Sequence, residues 1–303
     1  MKTEVCPPAT PAAAPMAVAA PGALTTLPVL LRLMRVEKPL CATFFAFLGA
    51  WLAAPLPVLW SLPMLTAAAS VFCITAFGFV INDCCDLKVD SIGRVRRPLP
   101  AGQVSPRAAI RWAWGLAATG LILGLLLGAV AGAIAASAVA LSGLYSYRLK
   151  STLLVGNATV ALLVAAVLVF GAEVAGGPTP AVWIAAVMTA SYIVAQEALF
   201  TLEDEAVDRA AGLTTTATLL GTARAARLVR ALLLLFVAVA LAPWLAGAAG
   251  ADYAVALAAV TLAPTACLWW WLRAPVQMSR ISHAVRLSRL VWLTSFLPLA
   301  LLK

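Results

Sequence analysis

The chain has 303 residues, 63% of them hydrophobic and only 11% charged, with a formal net charge of +9. A soluble domain carries about 25% charged residues, so a water-soluble fold is excluded, and with it nucleic acid as the partner that such a positive charge would otherwise suggest. Apolar runs of about 20 residues recur instead, long enough to cross a bilayer as helices and lacking the alternation of barrel strands.

Residues 1–26 are rich in Ala and Pro. Pro7, Pro8, Pro11, Pro15 and Pro21 interrupt any helix there and break the continuous apolar centre that a signal peptide needs. The segment reads as a disordered N-terminal tail, and residues 27–303 as one transmembrane domain. Nine spans are predicted, near 40–57, 63–81, 108–127, 128–146, 154–172, 179–200, 225–246, 252–272 and 284–302. Two connections are strongly polar, Lys88 to Arg107 and Thr201 to Arg224. With the N-terminus inside, nine spans place every Lys and Arg beyond the tail on the inner side except Lys303, while Glu173 and Asp252 fall outside. That asymmetry predicts a multi-pass all-α membrane protein with both polar loops on the cytosolic face. The six cysteines show no paired spacing, and Cys84 and Cys85 fall on the reducing side, so no disulfide framework is expected.

The second predicted span closes with Asn82-Asp83-Cys84-Cys85-Asp86-Leu87-Lys88-Val89-Asp90. On a continuous helix Asn82, Asp86 and Asp90 share a face and Asp83 flanks it. Carboxylates crowded at a membrane edge repel one another, and a divalent cation removes that cost. Oxygen-only donors favour magnesium shared with a substrate phosphate. In a second segment, Glu197 to Asp208, Glu197, Asp204 and Asp208 also share a face, with Glu203 and Glu205 expected to point elsewhere. Basic residues accompany them: Arg94 and Arg97 follow the first segment, and Lys150 follows Tyr145 and Tyr147. They suit the charge that builds on a departing diphosphate. His283 is the sole histidine, which leaves zinc sites and histidine triads without support.

This pattern resembles the UbiA superfamily of membrane prenyltransferases. Asn82, Asp83, Asp86 and Asp90 match the family's N-D-x-x-D-x-x-x-D motif, and Arg97-Pro98-Leu99-Pro100-Ala101-Gly102 resembles the stretch that follows it. Tyr147, Lys150 and Gly156-Asn157 are similar to the family motif after the fourth span. Thr201 and Val207 depart from the second acidic motif, so its metal site is expected to rest on Asp204 and Asp208 with Glu197 in support. The resemblance implies a nine-helix bundle around a central cavity, open laterally to lipid and capped by cytosolic loops.

It also implies chemistry. Two Mg2+ ions on Asn82, Asp83, Asp86, Asp90, Asp204 and Asp208 hold a prenyl diphosphate donor, with Asn82, Arg94, Arg97, Tyr147, Lys150, Asn157 and Glu197 binding substrate. Asp86, Asp90, Asp204 and Asp208 carry the reaction. The allylic carbon–oxygen bond ionises in a cavity that excludes water, and a small acceptor, expected to be aromatic (a hydroxybenzoate or quinone precursor), takes the prenyl group. A glycerol-phosphate lipid, a tetrapyrrole acid or acceptor-free cyclisation are the alternatives within the fold. An ion-coupled transporter is the alternative outside it, although such a protein places acidic residues near the bilayer midplane.

Overall fold

The computed structural model describes residues 26–93 and 96–303. The expected tail, apart from Thr26, lies outside the described residues, and so does Arg94. Among the described residues every long element is a helix. In chain order they are α1 (Leu27–Met34), α2 (Glu37–Ala53), α3 (Leu62–Cys85), α4 (Leu87–Gly93), α5 (Pro106–Leu126), α6 (Ala129–Tyr147), α7 (Val155–Val174) and α8 (Pro180–Glu203). There follow α9 (Glu205–Ala210), α10 (Thr216–Leu220), α11 (Thr222–Leu245), α12 (Ala251–Leu257), α13 (Ala263–Trp271), α14 (Met278–Thr294) and α15 (Phe296–Ala300).

Among the described residues seven helices are long and apolar enough to cross a membrane: α3, α5, α6, α7, α8, α11, and α12 joined to α13. The α1–α2 pair, bent by 58°, makes an eighth. The expected count was nine. The predicted span 284–302 is divided here between α14 and α15, which break at Ser295, and α14 carries Arg280, His283, Arg286 and Arg289. Those polar residues and that break keep this segment below the length and apolarity of the others. Between α12 and α13 the chain passes through a π-helical stretch, Ala258–Leu262, just before Pro264. Proline has no N–H to offer the carbonyl one turn back. Thr294 Oγ1 donates to that carbonyl, Val260 O, at 3.0 Å instead, so the bilayer region holds no bare carbonyl there.

Small residues set the closest helix approach. A Cβ on Gly49 would lie 1.9 Å from Leu168 O, and one on Gly171 would lie 1.9 Å from Ala46 O. The contacts are reciprocal, so α2 and α7 touch backbone to backbone, the way small residues bring helices together in lipid. Two contacts gather the end of the bundle remote from the cap helices. Thr179 Oγ1, before α8, donates to Leu52 O at 3.1 Å, and Lys303 Nζ donates to Ala54 O at 2.7 Å. At the opposite end lie the short helices α4, α9 and α10. There α1 is tied down by Arg32, whose Nη2 donates to Arg96 O at 3.1 Å. Arg35 closes α1 in the left-handed region (φ 49°), its N–H reaching Arg32 O and Leu31 O. That kink aims the Arg35 guanidinium at the end of α3.

Candidate active site

Helix α3 stops at Cys85, and Asp86 (φ −89°, ψ 2°) turns the chain into α4. The turn keeps helical hydrogen bonds: Asp86 N–H donates to Asn82 O at 2.9 Å and Asp90 N–H to Asp86 O at 2.8 Å. It divides the acidic row in two. Asn82 and Asp86 face a central cavity, while Asp83 and Asp90 do not line it. These last two are 2% and 1% exposed. Arg97 Nη1 bridges them, at 3.3 Å to Asp83 and 2.5 Å to Asp90, and Arg35 also pairs with Asp83. Buried carboxylates need such partners. The segment carrying Arg97 is built to hold it. Leu99 is buried against Phe77 and Ile81. Gly102 closes the turn at φ 68°, with Ala101 N–H on Arg97 O at 2.9 Å.

The second acidic row repeats the device. Helix α8 stops at Glu203, and Asp204 (φ −88°, ψ 0°) turns the chain into α9. Asp204 N–H donates to Phe200 O at 3.1 Å and Asp208 N–H to Asp204 O at 2.9 Å. Both corner aspartates adopt the sparsely populated bridge conformation, and α4 packs against α9. Glu197, Thr201, Glu203, Asp204 and Asp208 all line the cavity. Glu203 corrects the sequence expectation, because α8 turns a broad face to the cavity, from Gln196 round to Thr201. Glu205 does point elsewhere, accepting hydrogen bonds from Arg209 Nη2 and Thr222 Oγ1 at 2.7 Å each.

The cavity measures about 960 Å³. That lies at the upper end of the range for small-molecule sites, about 300–1,000 Å³, and has room for the reacting ends of two substrates. Its polar end holds both acidic corners. Its walls are apolar, with Val71, Ile134, Val164, Val167 and Phe170 among the lining residues. Leu40 and Phe44 on α2 and Leu293 on α14 line it while remaining 49%, 64% and 51% exposed, so it opens sideways between those helices.

Lys150 reaches in from the short 3-10 turn Leu149–Ser151 and pairs with Asp86. Burial pulls its ammonium below the ordinary lysine pKa, while the nearby Asp208 and Asp83 carboxylates pull the other way. The turn rests on Gly156, where a Cβ would lie 2.8 Å from Leu149 O and 3.0 Å from Lys150 Cα. Glycine is therefore what lets this turn settle on α7. Asn82 Nδ2 donates to Asp86 Oδ2 at 2.9 Å, but the buried Asn82 Oδ1 has no hydrogen-bond partner, nor has the buried Asn157 Nδ2.

The model of the UbiA prenyltransferase family matches residues 42–292. The chain belongs to the UbiA prenyltransferase family. Among curated relatives, the digeranylgeranylglyceryl phosphate synthase of Methanopyrus kandleri is 37% identical over 187 residues, 62% of this chain and 68% of that one. The synthase of the same name from Natronomonas pharaonis is 32% identical over 242 residues, 79% of this chain and 86% of the relative. Among solved structures, a study of digeranylgeranylglyceryl phosphate synthase in membranes gives a TM-score of 0.73 at 24% identity, covering 90% of this chain and 97% of the other. A UbiA homologue from Archaeoglobus fulgidus bound to GPP and Mg2+ gives 0.69 at 19% identity, covering 89% and 99%.

As a UbiA-family protein the chain is a prenyl-transferring enzyme embedded in a membrane. Among the predicted site residues, the cavity gathers Asn82, Asp86, Arg97, Lys150, Asn157, Glu197, Asp204 and Asp208. It leaves out Asp83 and Asp90, held by arginines, and Tyr147, which is 61% exposed and does not line it. Tyr145 lines it instead, on the face of α6 marked by Ala138 and Ser142. Helical spacing of four and then three residues carries that signal in the sequence, and extending the α6 stripe to its end would have chosen Tyr145.

The donor set suits magnesium. Among the described residues no three acidic, cysteine or histidine side chains converge to hold an ion by themselves. Magnesium commonly takes one or two carboxylates and fills its octahedron with water and substrate phosphate. Asp86 and the orphaned Asn82 Oδ1 offer such a partial set at one corner, and Asp204 with Asp208 offer another.

Proposed function

We propose that this enzyme transfers a prenyl group, with Mg2+, to a hydroxyl of a glycerol-phosphate lipid, as its digeranylgeranylglyceryl phosphate synthase relatives are named for doing. The names of those relatives, at 32–37% identity, carry the choice of acceptor. They favour the glycerol-phosphate alternative over the aromatic acceptor that the sequence reading put first, and family membership favours an enzyme over a transporter. The lateral opening between α2 and α14 supports the same choice, because both substrates would be lipids arriving from the bilayer.

In this reading the donor's diphosphate lies between the Asp86 and Asp204 corners and its prenyl tail lies along the apolar walls. Bound magnesium supplies the positive charge that makes diphosphate a leaving group. Lys150 neutralises further phosphate charge, and Asn82 and Asn157 offer the groups that now lack partners. Asp83 and Asp90 act through Arg35 and Arg97, holding the cap in place. The donor's C1–O bond breaks with its electron pair leaving on diphosphate. The acceptor hydroxyl oxygen attacks C1, and the new ether forms as the hydroxyl proton passes to the released diphosphate. The dry walls keep water from the same carbon.

Nine crossings belong to this reading, with the α1–α2 and α14–α15 pairs each crossing once and residues 27–303 forming one unit. The Lys and Arg asymmetry then puts both acidic corners in the cytosol.

The test uses membranes carrying the full chain, Mg2+, geranylgeranyl diphosphate and geranylgeranylglyceryl phosphate, with ether product followed by mass spectrometry. Product is expected from the unaltered chain, and a loss of about 100-fold or more from Asp86→Ala with membrane insertion retained. Product from an aromatic acid alone, or full activity in Asp86→Ala, would overturn the reading.

A further inference from the structure

The donor's anionic end already has cations facing it, but a phosphorylated acceptor brings a second anion into the same cavity. Five described basic residues line that cavity: Arg35, Lys38, Arg97, Lys150 and Arg289. Arg35 and Arg97 are bound to Asp83 and Asp90, and Lys150 to Asp86. Lys38 lies within electrostatic range of Glu197. Arg289 differs. Among the described residues it has no carboxylate partner, and its guanidinium stands 5.3 Å from the ring centroid of Phe200. Phe200 precedes the Asp204 corner by one helical turn, so Arg289 meets the cap-proximal end of α8 through that ring.

A second donor stands beside it. Trp292 follows Arg289 by one turn on α14, which places the two on one face. Both line the cavity, and the buried Trp292 Nε1 has no hydrogen-bond acceptor. The indole is fixed by stacking on Phe45, with centroids 5.1 Å apart and 16° between planes. Leu293, next in sequence, is part of the lateral opening. Arg289 is exposed, so its guanidinium stays open to an arriving anion, and an unpaired buried N–H carries its own penalty. An incoming lipid phosphomonoester with adjacent glyceryl oxygens satisfies both.

We infer that Arg289 and Trp292 form the acceptor's headgroup site, with Arg289 gripping the phosphate and Trp292 Nε1 donating to a glyceryl oxygen. This rests on the glycerol-phosphate reading above. The planar guanidinium suits phosphate because it donates two parallel hydrogen bonds. The site thus selects a phosphorylated acceptor over the same lipid without its phosphate.

The experiment measures kcat and KM for Arg289→Gln and Arg289→Lys in the full chain. Geranylgeranylglyceryl phosphate, its dephosphorylated ether and 4-hydroxybenzoate serve as acceptors, and the geranylgeranyl diphosphate KM is measured separately. Arg289→Gln is expected to raise the phosphorylated acceptor's KM tenfold or more and leave the donor's KM within twofold. The preference for phosphorylated over dephosphorylated acceptor is expected to collapse, and Arg289→Lys to recover part of it. An equal loss with both lipid acceptors, or a comparable rise in donor KM, overturns the inference, since a merely structural role would act on all substrates alike. If the unaltered chain uses 4-hydroxybenzoate and not the phosphorylated lipid, the glycerol-phosphate reading itself fails and takes the inference with it.

Discussion

Gly156 shows how one missing methyl group governs a charge elsewhere. A Cβ there would press on the Leu149–Lys150 backbone, and displacing that turn moves the ammonium off Asp86. Misplacing a group by about 1 Å can cost up to about 100-fold in rate. Gly156→Ala is therefore expected to lower kcat at least about tenfold, in steady-state assays on protein that still inserts. Gly143→Ala serves as the control, because nothing lies within 4 Å of its Cβ, and its rate should match the unaltered chain. At this scale much of the site was legible. Asn82, Asp86, Asp204, Asp208 and Lys150 announce themselves by type and spacing in a chain with so few charges. The partnering of Asp83 and Asp90 was not legible, because it depends on Arg35 arriving from a separate helix. Arg289, in the proposed headgroup site, was not legible either, because in the sequence it counts only as one more basic residue on the inner side.

Eight of the nine predicted spans match helices to within four residues at either end, since runs of about 20 apolar residues leave the backbone no alternative in lipid, while the ninth, 284–302, is divided between α14 and α15. The breaks were not. A continuous helix through Asn82–Asp90 puts Asp86 and Asp90 on one face, whereas the turn at Asp86 sends Asp90 to Arg97 and leaves Asp86 in the cavity. Asp204 breaks α8 in the same way, with φ and ψ within 2° of those at Asp86. No proline or glycine marks either corner, so nothing local in the sequence gives it away. Packing between elements is more exacting than their existence. At Gly171 an added methyl would meet the Ala46 backbone, which cannot swing aside as a side chain does. Gly171→Ala is expected to push α2 from α7 and destabilise the protein by about 1–3 kcal/mol or more. A lowered unfolding midpoint in detergent is the check, and an unchanged midpoint would mean that the two helices are not in backbone contact.

For the molecule as a whole, the sequence supplied the class and the sidedness argument, and the structure adds that both acidic corners share one end of the bundle. Gln103 lies at that end and is exposed, while Asp252, also exposed, begins α12 at the other. If the corners face the cytosol, a cysteine introduced at Asp252 should react with a membrane-impermeant maleimide in intact cells, above the background of the unaltered chain. One introduced at Gln103 should react only after permeabilisation. The reverse pattern would invert the orientation. The two corners also lend the bundle an internal symmetry, α3–α4 answering α8–α9, and its purpose in this account is to hold one leaving group from two sides.

That joint grip is tested most directly by a solved structure of the full chain with Mg2+ and a donor analogue that cannot ionise. The account predicts the diphosphate between Asp86 and Asp204, with metal ions touching both corners and Lys150 within hydrogen-bonding distance of a phosphate oxygen. A diphosphate seated outside the cavity, or bound with either corner more than one water molecule away, would contradict it.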